Sequence, residues 1–157
     1  MLRFIFFLTI VVGLAACDKS RVYETNQDFK NGIWKSTDTL RFDFNIADTS
    51  KRYNVILNVR NTIDFETVRL FINYNLADSN KVLRTRLIEQ NLFDRKTGEP
   101  FGESGLRNIY THHFTVEPSI KFSSPGTYQI KLNHMMRVDE LAEILSIGIR
   151  VEEVTSN

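Results

Sequence analysis

Apolar and polar side chains alternate along most of the chain after residue 39. The clearest row covers residues 40–46, where every second side chain is apolar: Leu40, Arg41, Phe42, Asp43, Phe44, Asn45 and Ile46. Because successive side chains of a strand point to opposite faces, this row predicts a strand with one apolar face. The same period recurs in residues 53–60, 68–76, 110–116, 128–136 and 147–151, and a longer, less regular row covers residues 81–93.

Turn-forming residues separate these rows. The polar cluster at residues 47–50 predicts a hairpin between the first two strands, and the Gly98 and Gly126 segments predict two further turns. Residues 98–109 are rich in glycine and predict a loop. Pro118 either ends the strand that begins at Tyr110 or moves it to a sheet edge. Asp139 is placed to cap a short helix over residues 140–145.

Seven or so short strands without long intervening helices predict an all-β fold, an antiparallel β-sandwich with one short helix near the C-terminus. Two sheets of this kind bury their apolar faces against each other and leave the polar faces in water. An immunoglobulin-like and a jelly-roll-like topology are both compatible with the pattern.

The first sixteen residues follow a different pattern. Arg3 is the single charge before an apolar run at residues 4–12, in which Thr9 is the only polar residue. This arrangement is typical of a secretory signal peptide, and the run is roughly half the ~20 residues that a transmembrane helix needs. We therefore expect residues 1–16 to be removed. The alternatives are an ordinary signal peptide with a chance cysteine near its cleavage site, or a short buried helix.

The cleavage site itself carries a second signal. Leu14, Ala15, Ala16 and Cys17 resemble the lipobox of bacterial lipoproteins, which predicts cleavage between Ala16 and Cys17 and lipidation of the Cys17 thiol. Each buried acyl CH2 contributes about 0.8 kcal/mol, so two or three chains, palmitate among them, would hold the domain at a membrane surface. We expect residues 17–34 to form a tether, which could also supply a first edge strand, and residues 35–157 to form the β-sandwich domain.

Charge and cysteine content limit the classes of partner. The chain has 20 basic and 19 acidic residues, and loss of Arg3 with the signal peptide leaves 19 of each. This balance does not favour nucleic acid or an anionic surface as a partner. Cys17 is the only cysteine, so the chain has no disulfide framework.

No pattern in the sequence predicts catalysis, a metal site or a cofactor. His112, His113 and His134 are the three histidines, and adjacent strand residues cannot share one site. The Gly102 to Gly105 segment contains Ser104 but lacks the spacing and the strand-turn-helix setting of a nucleophile elbow. We therefore assign no catalytic residue, no metal, no cofactor and no small-molecule substrate.

A binding surface is the remaining kind of site. Most aromatic residues lie on the apolar rows, which leaves Trp34 and Phe71 as candidates for exposure. Five polar residues fall on the opposite strand faces and could form a recognition surface: Arg41, Arg60, Arg69, Asn73 and Asn75. An exposed Trp34 would favour an alternative function, a carbohydrate-binding envelope lipoprotein.

Many short segments, in order along the chain, resemble the gliding-motility lipoprotein family GldH of the Bacteroidota. They include Cys17-Asp18, Tyr23-Glu24, Trp34, residues 42–49, Tyr53-Asn54, Arg60-Asn61, Asn75-Leu76, residues 105–110, Gly126-Thr127-Tyr128, Met136-Arg137, Leu141, Ile147-Gly148-Ile149 and Val151-Glu152. The resemblance implies a non-catalytic role in gliding motility and in the associated type IX secretion machinery, with other proteins of that machinery as partners. Cys17 is the one functional residue that it carries over. In this phylum, surface export of lipoproteins is associated with an acidic run just after the lipidated cysteine, and residues 18–21 are not such a run. We therefore expect the protein at the periplasmic face of the outer membrane.

Overall fold

The structure, a computed structural model, describes residues 20–155. These contain eleven strands and two short 3-10 turns, at Lys30–Gly32 and Leu106–Asn108. The strands are β1 (Arg21–Asp28), β2 (Ile33–Lys35), β3 (Leu40–Ile46), β4 (Tyr53–Thr62), β5 (Arg69–Asp78), β6 (Val82–Asn91), β7 (Glu103–Ser104), β8 (Ile109–Ile120), β9 (Gly126–His134), β10 (Glu140–Ala142) and β11 (Ile144–Glu153). The predicted signal peptide and Cys17 lie outside the described residues.

The strands form two main sheets that pack as an antiparallel sandwich, which confirms the predicted fold class. One sheet has five strands in the order β1-β11-β4-β8-β7, and the other has four in the order β3-β9-β5-β6. A third, two-stranded sheet pairs β10 with β2, and we call it the ribbon. Every pairing is antiparallel.

The apolar rows of the sequence form the core between the two sheets. β3 alternates strictly between buried and exposed residues, and β9 does so almost as regularly. The aromatic rings of Phe44, Tyr53 and Tyr128 all contact Phe122, whose ring centroid lies 4.4 Å from that of Tyr128. Burial of these faces supplies most of the stabilisation of a sandwich.

The sandwich has two distinct ends. We call one the termini end, because Ser20 and Glu153 lie there and the backbone N–H of Glu153 donates to the Ser20 carbonyl at 2.7 Å. Three connections lie at the termini end, at residues 47–52, 79–81 and 121–125. The opposite end, which we call the loop end, holds the other four, at residues 29–39, 63–68, 92–108 and 135–143. A ten-residue strand such as β4 separates the two ends by about 33 Å.

The predicted hairpin between residues 40–46 and 53–60 is wrong, because β3 and β4 belong to different sheets. β3 pairs with β9, whereas β4 pairs with β11 and β8. The connection between them crosses from one sheet to the other and is fixed at Asp48, whose carbonyl accepts a 2.6 Å hydrogen bond from the Tyr53 hydroxyl. Both strands therefore turn their apolar faces toward the same core from opposite sides.

The predicted short helix over residues 140–145 is also wrong. Glu140–Ala142 is strand β10, in which Leu141 is buried and faces Trp34 across the ribbon. Glu143 then adopts a left-handed conformation with φ of 65°, which a helix does not tolerate, and β11 begins at Ile144. Pairing with β2 replaces the hydrogen bonds that a helix would have supplied.

The segment assigned to a tether contains two strands of the fold. β1 pairs along its length with β11 as the outer strand of the five-stranded sheet, which fits the alternative of a first edge strand. The packed structure accordingly begins N-terminal of residue 35. The sequence shows this weakly because most β1 residues are exposed or only partly buried.

At the other edge of this sheet β8 continues through Pro118, beyond the two residues that β7 covers.

A candidate protein-binding surface at the loop end

A groove of about 1200 Å³ opens at the loop end. Its floor is the outer face of the four-stranded sheet, where Phe71 of β5 lies diagonally across from Leu87 of β6. The segment after β9 closes one side, since the backbone N–H of Met135 donates to the Phe71 carbonyl at 2.8 Å. The sulfur of Met136 accepts a 3.4 Å hydrogen bond from the Phe71 N–H. Val138 adds a further apolar side chain to the lining.

Large apolar side chains are unusually exposed at this end. Leu87 is 60% exposed, Met135 56% and Val138 50%, all three in the groove. Phe101 and Leu106, in the neighbouring connection between β6 and β8, are at least as exposed. Exposed apolar side chains grouped in this way mark interaction surfaces in soluble domains. We refer to the groove together with Phe101 and Leu106 as the loop-end surface.

Charged side chains of both signs surround the groove. Asp64 and Glu66 lie on one side, and Arg95 and Arg137 come from two other connections. Two further lining residues are already in ion pairs: Arg69 contacts Glu89 at 2.6 Å, and Glu140 contacts Lys35 at 3.3 Å. An apolar centre with a polar rim of mixed charge is the usual composition of a protein–protein interface.

Short hydrogen bonds hold the connections of the loop end against one another. Thr62, the last residue of β4, donates its backbone N–H to the Glu143 carbonyl at 3.1 Å and its hydroxyl to the Glu143 carboxylate at 2.5 Å. The next N–H, that of Ile63, donates to the Asn108 carbonyl at 2.9 Å. The end of β4 thereby joins the connection after β9 to the connection before β8.

Backbone strain is concentrated at the same end. Five non-glycine residues of the described chain have positive φ, and four of them lie here: Asn31, Arg107, Asn108 and Glu143. Each such residue costs on the order of 1 kcal/mol or more and persists only where surrounding contacts hold it. Two of the four, Asn108 and Glu143, are held by the hydrogen bonds that their carbonyls accept from the end of β4.

The three histidines do not come together. His112 is buried, and its Nε2 lies 3.0 Å from the Asn61 Oδ1, whereas His113 is exposed on the opposite face beside Asn58. His134 belongs to the other sheet and lies edge-on to Trp34. Residues 20–155 contain no group of three or more His, Cys, Asp or Glu side chains placed to hold a metal ion.

Trp34 is fully buried, contrary to its candidacy for exposure. Its ring stacks on Phe29 with centroids 5.4 Å apart, and its indole N–H donates to the Asp38 carbonyl at 3.2 Å. It cannot stack on a sugar, which removes the main support for the carbohydrate-binding alternative. Phe71, the second aromatic candidate, lies in the groove.

The five polar residues suggested as a recognition surface do not share one face. Arg41, Arg69, Asn73 and Asn75 belong to the four-stranded sheet, whereas Arg60 belongs to the five-stranded one. Sequence reasoning missed Leu87, Met135 and Val138, although the irregular row at residues 81–93 and the break in alternation at Met135 and Met136 were signals for them. Ala16 and Cys17 lie outside the described residues, and within those residues no helix is long and apolar enough to cross a bilayer.

The fold is an antiparallel β-sandwich with an exposed apolar surface at one end, and comparison with known proteins identifies its family. The chain belongs to the GldH lipoprotein family, whose model matches residues 21–151. It is also 25% identical to the gliding motility lipoprotein GldH homolog of Christiangramia forsetii, over 96% of this chain and 94% of that protein. The family expected from the sequence is thereby confirmed, and a lipoprotein family implies a membrane-anchored protein of the cell envelope.

A solved structure of the infectious bursal disease virus Gx strain shows a weak likeness. It is 10% identical, covers 84% of this chain and 29% of that chain, and has a TM-score of 0.37. A score this low is no basis for inferring either a shared topology or a shared function.

Proposed function

We propose that the protein is a non-catalytic envelope lipoprotein that supports gliding motility and the associated type IX secretion machinery of the Bacteroidota. It is anchored by acyl chains on Cys17 at the periplasmic face of the outer membrane. It acts by binding another protein of that machinery at the loop-end surface. Family membership supports the link to motility, and the half-exposed apolar side chains of the groove support the mode of action.

The occupant that best fits the groove is an apolar segment of a partner protein. Burial of Leu87, Met135 and Val138 would gain about 25 cal/mol for each Å² of apolar surface removed from water. Methionine side chains adapt to partners of different shape, and two of them line this groove. The opposite charges of Asp64 and Arg95 on the rim suit a protein partner with both signs of charge.

The composition of the groove supports a role without catalysis. Its lining contains neither histidine nor cysteine, and two of its four carboxylates, those of Glu140 and Glu143, are engaged by Lys35 and by the Thr62 hydroxyl. A hydrolase would need a nucleophile beside an oriented base in such a place.

Charge insertion into the groove tests the proposal. In cells that carry the variant as the only copy, Leu87→Asp or Met135→Asp should abolish both colony spreading and type IX secretion, as a clean deletion of the gene should. The matched control is Thr115→Asp, which adds the same charge at an exposed position of the five-stranded sheet. Immunoblots and thermal melts establish that the variants are present and folded. Normal spreading and secretion in both groove variants would contradict the proposal.

A second measurement identifies the kind of occupant. Light scattering of the lipid-free mature chain should give the mass of one chain at micromolar concentration. A dimer that Leu87→Asp dissociates would assign the groove to a second copy and contradict a separate partner. Protease treatment of intact cells tests the location, because removal of the domain would place it on the outer surface of the cell.

A further inference from the structure

The termini end combines the start of the described chain with three exposed connections. Ser20 lies there, beside Glu153 and the start of β4. The connections at residues 47–52, 79–81 and 121–125 surround it on both sheets.

The distance between this end and the predicted anchor is limited by the chain itself. Only Asp18 and Lys19 stand between Cys17 and Ser20. Three fully extended residues span at most about 10 Å, so a lipidated Cys17 keeps Ser20 within that distance of the bilayer surface. This short link holds the termini end near the lipid headgroups, whereas it leaves the loop end up to the length of a strand away.

We propose that the termini end is a membrane-contact surface whose partner is the phosphate headgroup layer of the bilayer. This inference rests on the proposed lipid anchor and adds a defined orientation to it. The β-sandwich stands on the membrane with its strands directed away from it, and the loop-end surface is held about 33 Å from the lipid.

The side chains of the termini-end connections fit the interface between water and the lipid bilayer. Lys81 and Lys121 are exposed on two different connections, and Val82, next to Lys81, is 58% exposed. When a basic and an apolar side chain are adjacent, the charge of the first can lie at the lipid phosphates while the second reaches the edge of the acyl region. Lys121 is one residue after the end of β8, so both sheets contribute to the contact.

Acidic side chains of the same connections point into their own turns. The Asp78 Oδ1 accepts hydrogen bonds of 2.8 Å from the backbone N–H groups of Asn80 and Lys81. The Asp48 Oδ1 accepts one of 2.9 Å from the Ser50 N–H and one of 2.6 Å from its hydroxyl. These hydrogen bonds direct both carboxylates toward their own turns, and Lys51, 3.9 Å from Asp48, offsets part of their charge. Lys81 and Lys121 add exposed positive charge at the same end.

Fluorescence quenching on vesicles tests the orientation. Cys17 is the only cysteine of the chain, and lipidation consumes its thiol, so an introduced cysteine can be labelled alone. The mature lipidated protein is reconstituted in vesicles of phosphatidylethanolamine and phosphatidylglycerol that contain a headgroup nitroxide lipid. Labels at Ser79→Cys and Ser123→Cys, at the termini end, should be strongly quenched. Labels at Glu66→Cys and Val138→Cys, at the loop end, should not be quenched.

Flotation of the same vesicles separates failure of the anchor from failure of the orientation. Loss of flotation would overturn the lipid anchor and with it this inference. Flotation with equal quenching at both ends would overturn the orientation alone.

A pair of charge reversals tests the headgroup contact. Lys81→Glu with Lys121→Glu should reduce quenching at position 123 while flotation persists. The control pair, Arg95→Glu with Arg137→Glu at the loop end, should leave it unchanged. Undiminished quenching in the Lys81→Glu, Lys121→Glu protein would overturn the role of the lysines.

Discussion

The carboxylate of Glu117 lies between the two sheets, with its Oε2 2.5 Å from the guanidinium of Arg84 on the opposite sheet. Its Oε1 is 3.2 Å from Arg86, whose guanidinium also lies over the Tyr74 ring. The Glu117 side chain is 2% exposed, whereas those of Arg84 and Arg86 are 50% and 39% exposed. A shift in the register of β4 and β8 near Val55 directs Glu117 inward. This ion cluster closes the side of the sandwich where β6 and β8 face each other.

The unequal burial of these three residues predicts unequal costs of removal. The double substitution Arg84→Ala, Arg86→Ala leaves a buried carboxylate without a cation, and should lower the free energy of unfolding by about 3–5 kcal/mol. Glu117→Gln leaves two guanidinium groups that water already reaches, and should cost about 1–2 kcal/mol. Urea unfolding measures both values. Equal losses would show that burial of the carboxylate does not govern the energy of the cluster.

Tyr74 is a buried residue whose substitution should not lower the stability of the fold. Its hydroxyl is buried and has no hydrogen-bond partner among the described residues, and burial followed by the nearby Glu117 carboxylate raises its pKa. Tyr74→Phe should therefore leave the melting temperature unchanged or raise it, because no hydrogen bond is lost. The matched control is Tyr128→Phe, which removes a 2.7 Å hydrogen bond to the Ser124 carbonyl and should cost about 1 kcal/mol. A larger loss for Tyr74→Phe than for the control would contradict this assignment.

The strands of this fold are predictable because each buries one face. In β3, burial of Phe42 and exposure of Arg41 follow directly from the two-residue period. The partner of each strand is not encoded in that period, so the sequence does not show that β3 pairs with β9 and β4 with β8 and β11. Residues 47–52 suit a hairpin and a crossing between sheets equally well, and contacts with Phe122, far along the chain, decide between them.

The candidate site was less predictable than the core. Arg84 and Arg86 occupy inward positions of β6, opposite Leu76 and Tyr74, so this strand has no clean apolar row. Its irregularity reflects an ion cluster whose third member, Glu117, is supplied by another sheet.

The groove at the loop end was missed for a related reason. Its walls are connections without periodicity, and only the folded chain brings Leu87 and Met135 into one groove.

The buried His112 predicts a pH dependence of stability. Burial, and to a lesser extent the charge of His113, lowers the pKa of His112 from 6.5 to about 4. The unfolded chain therefore binds more protons between these values, so stability is complete above pH 6.5 and falls as the pH drops toward 4. The contribution is on the order of 3 kcal/mol. Below pH 4 both states are protonated and no further loss follows.

Paired variants isolate this contribution from the carboxylates that titrate nearby. His112→Gln keeps a donor for Asn61 and should remove most of the slope of unfolding free energy between pH 6.5 and 4. His113→Gln, on the exposed face, should retain it. Denaturant unfolding at four or five pH values measures the difference from the unsubstituted chain. If the slope of unfolding free energy against pH persists in His112→Gln, other titrating groups cause it.

The attachment of β1 depends on the absence of a side chain at Gly148 in β11. A Cβ at this position would lie 1.8 Å from the Asn26 Oδ1 and 2.8 Å from the Thr25 carbonyl oxygen, both on β1. The Asn26 side chain can rotate away, but the carbonyl belongs to the backbone of the paired strand. Gly148→Ala should therefore separate β1 from the sheet locally and cost about 1–3 kcal/mol. Faster hydrogen exchange across residues 21–28 than across β4 would report that separation. Adding Asn26→Ala should recover only part of the stability, since the contact with Thr25 remains, and full recovery would show that β1 is not displaced at all.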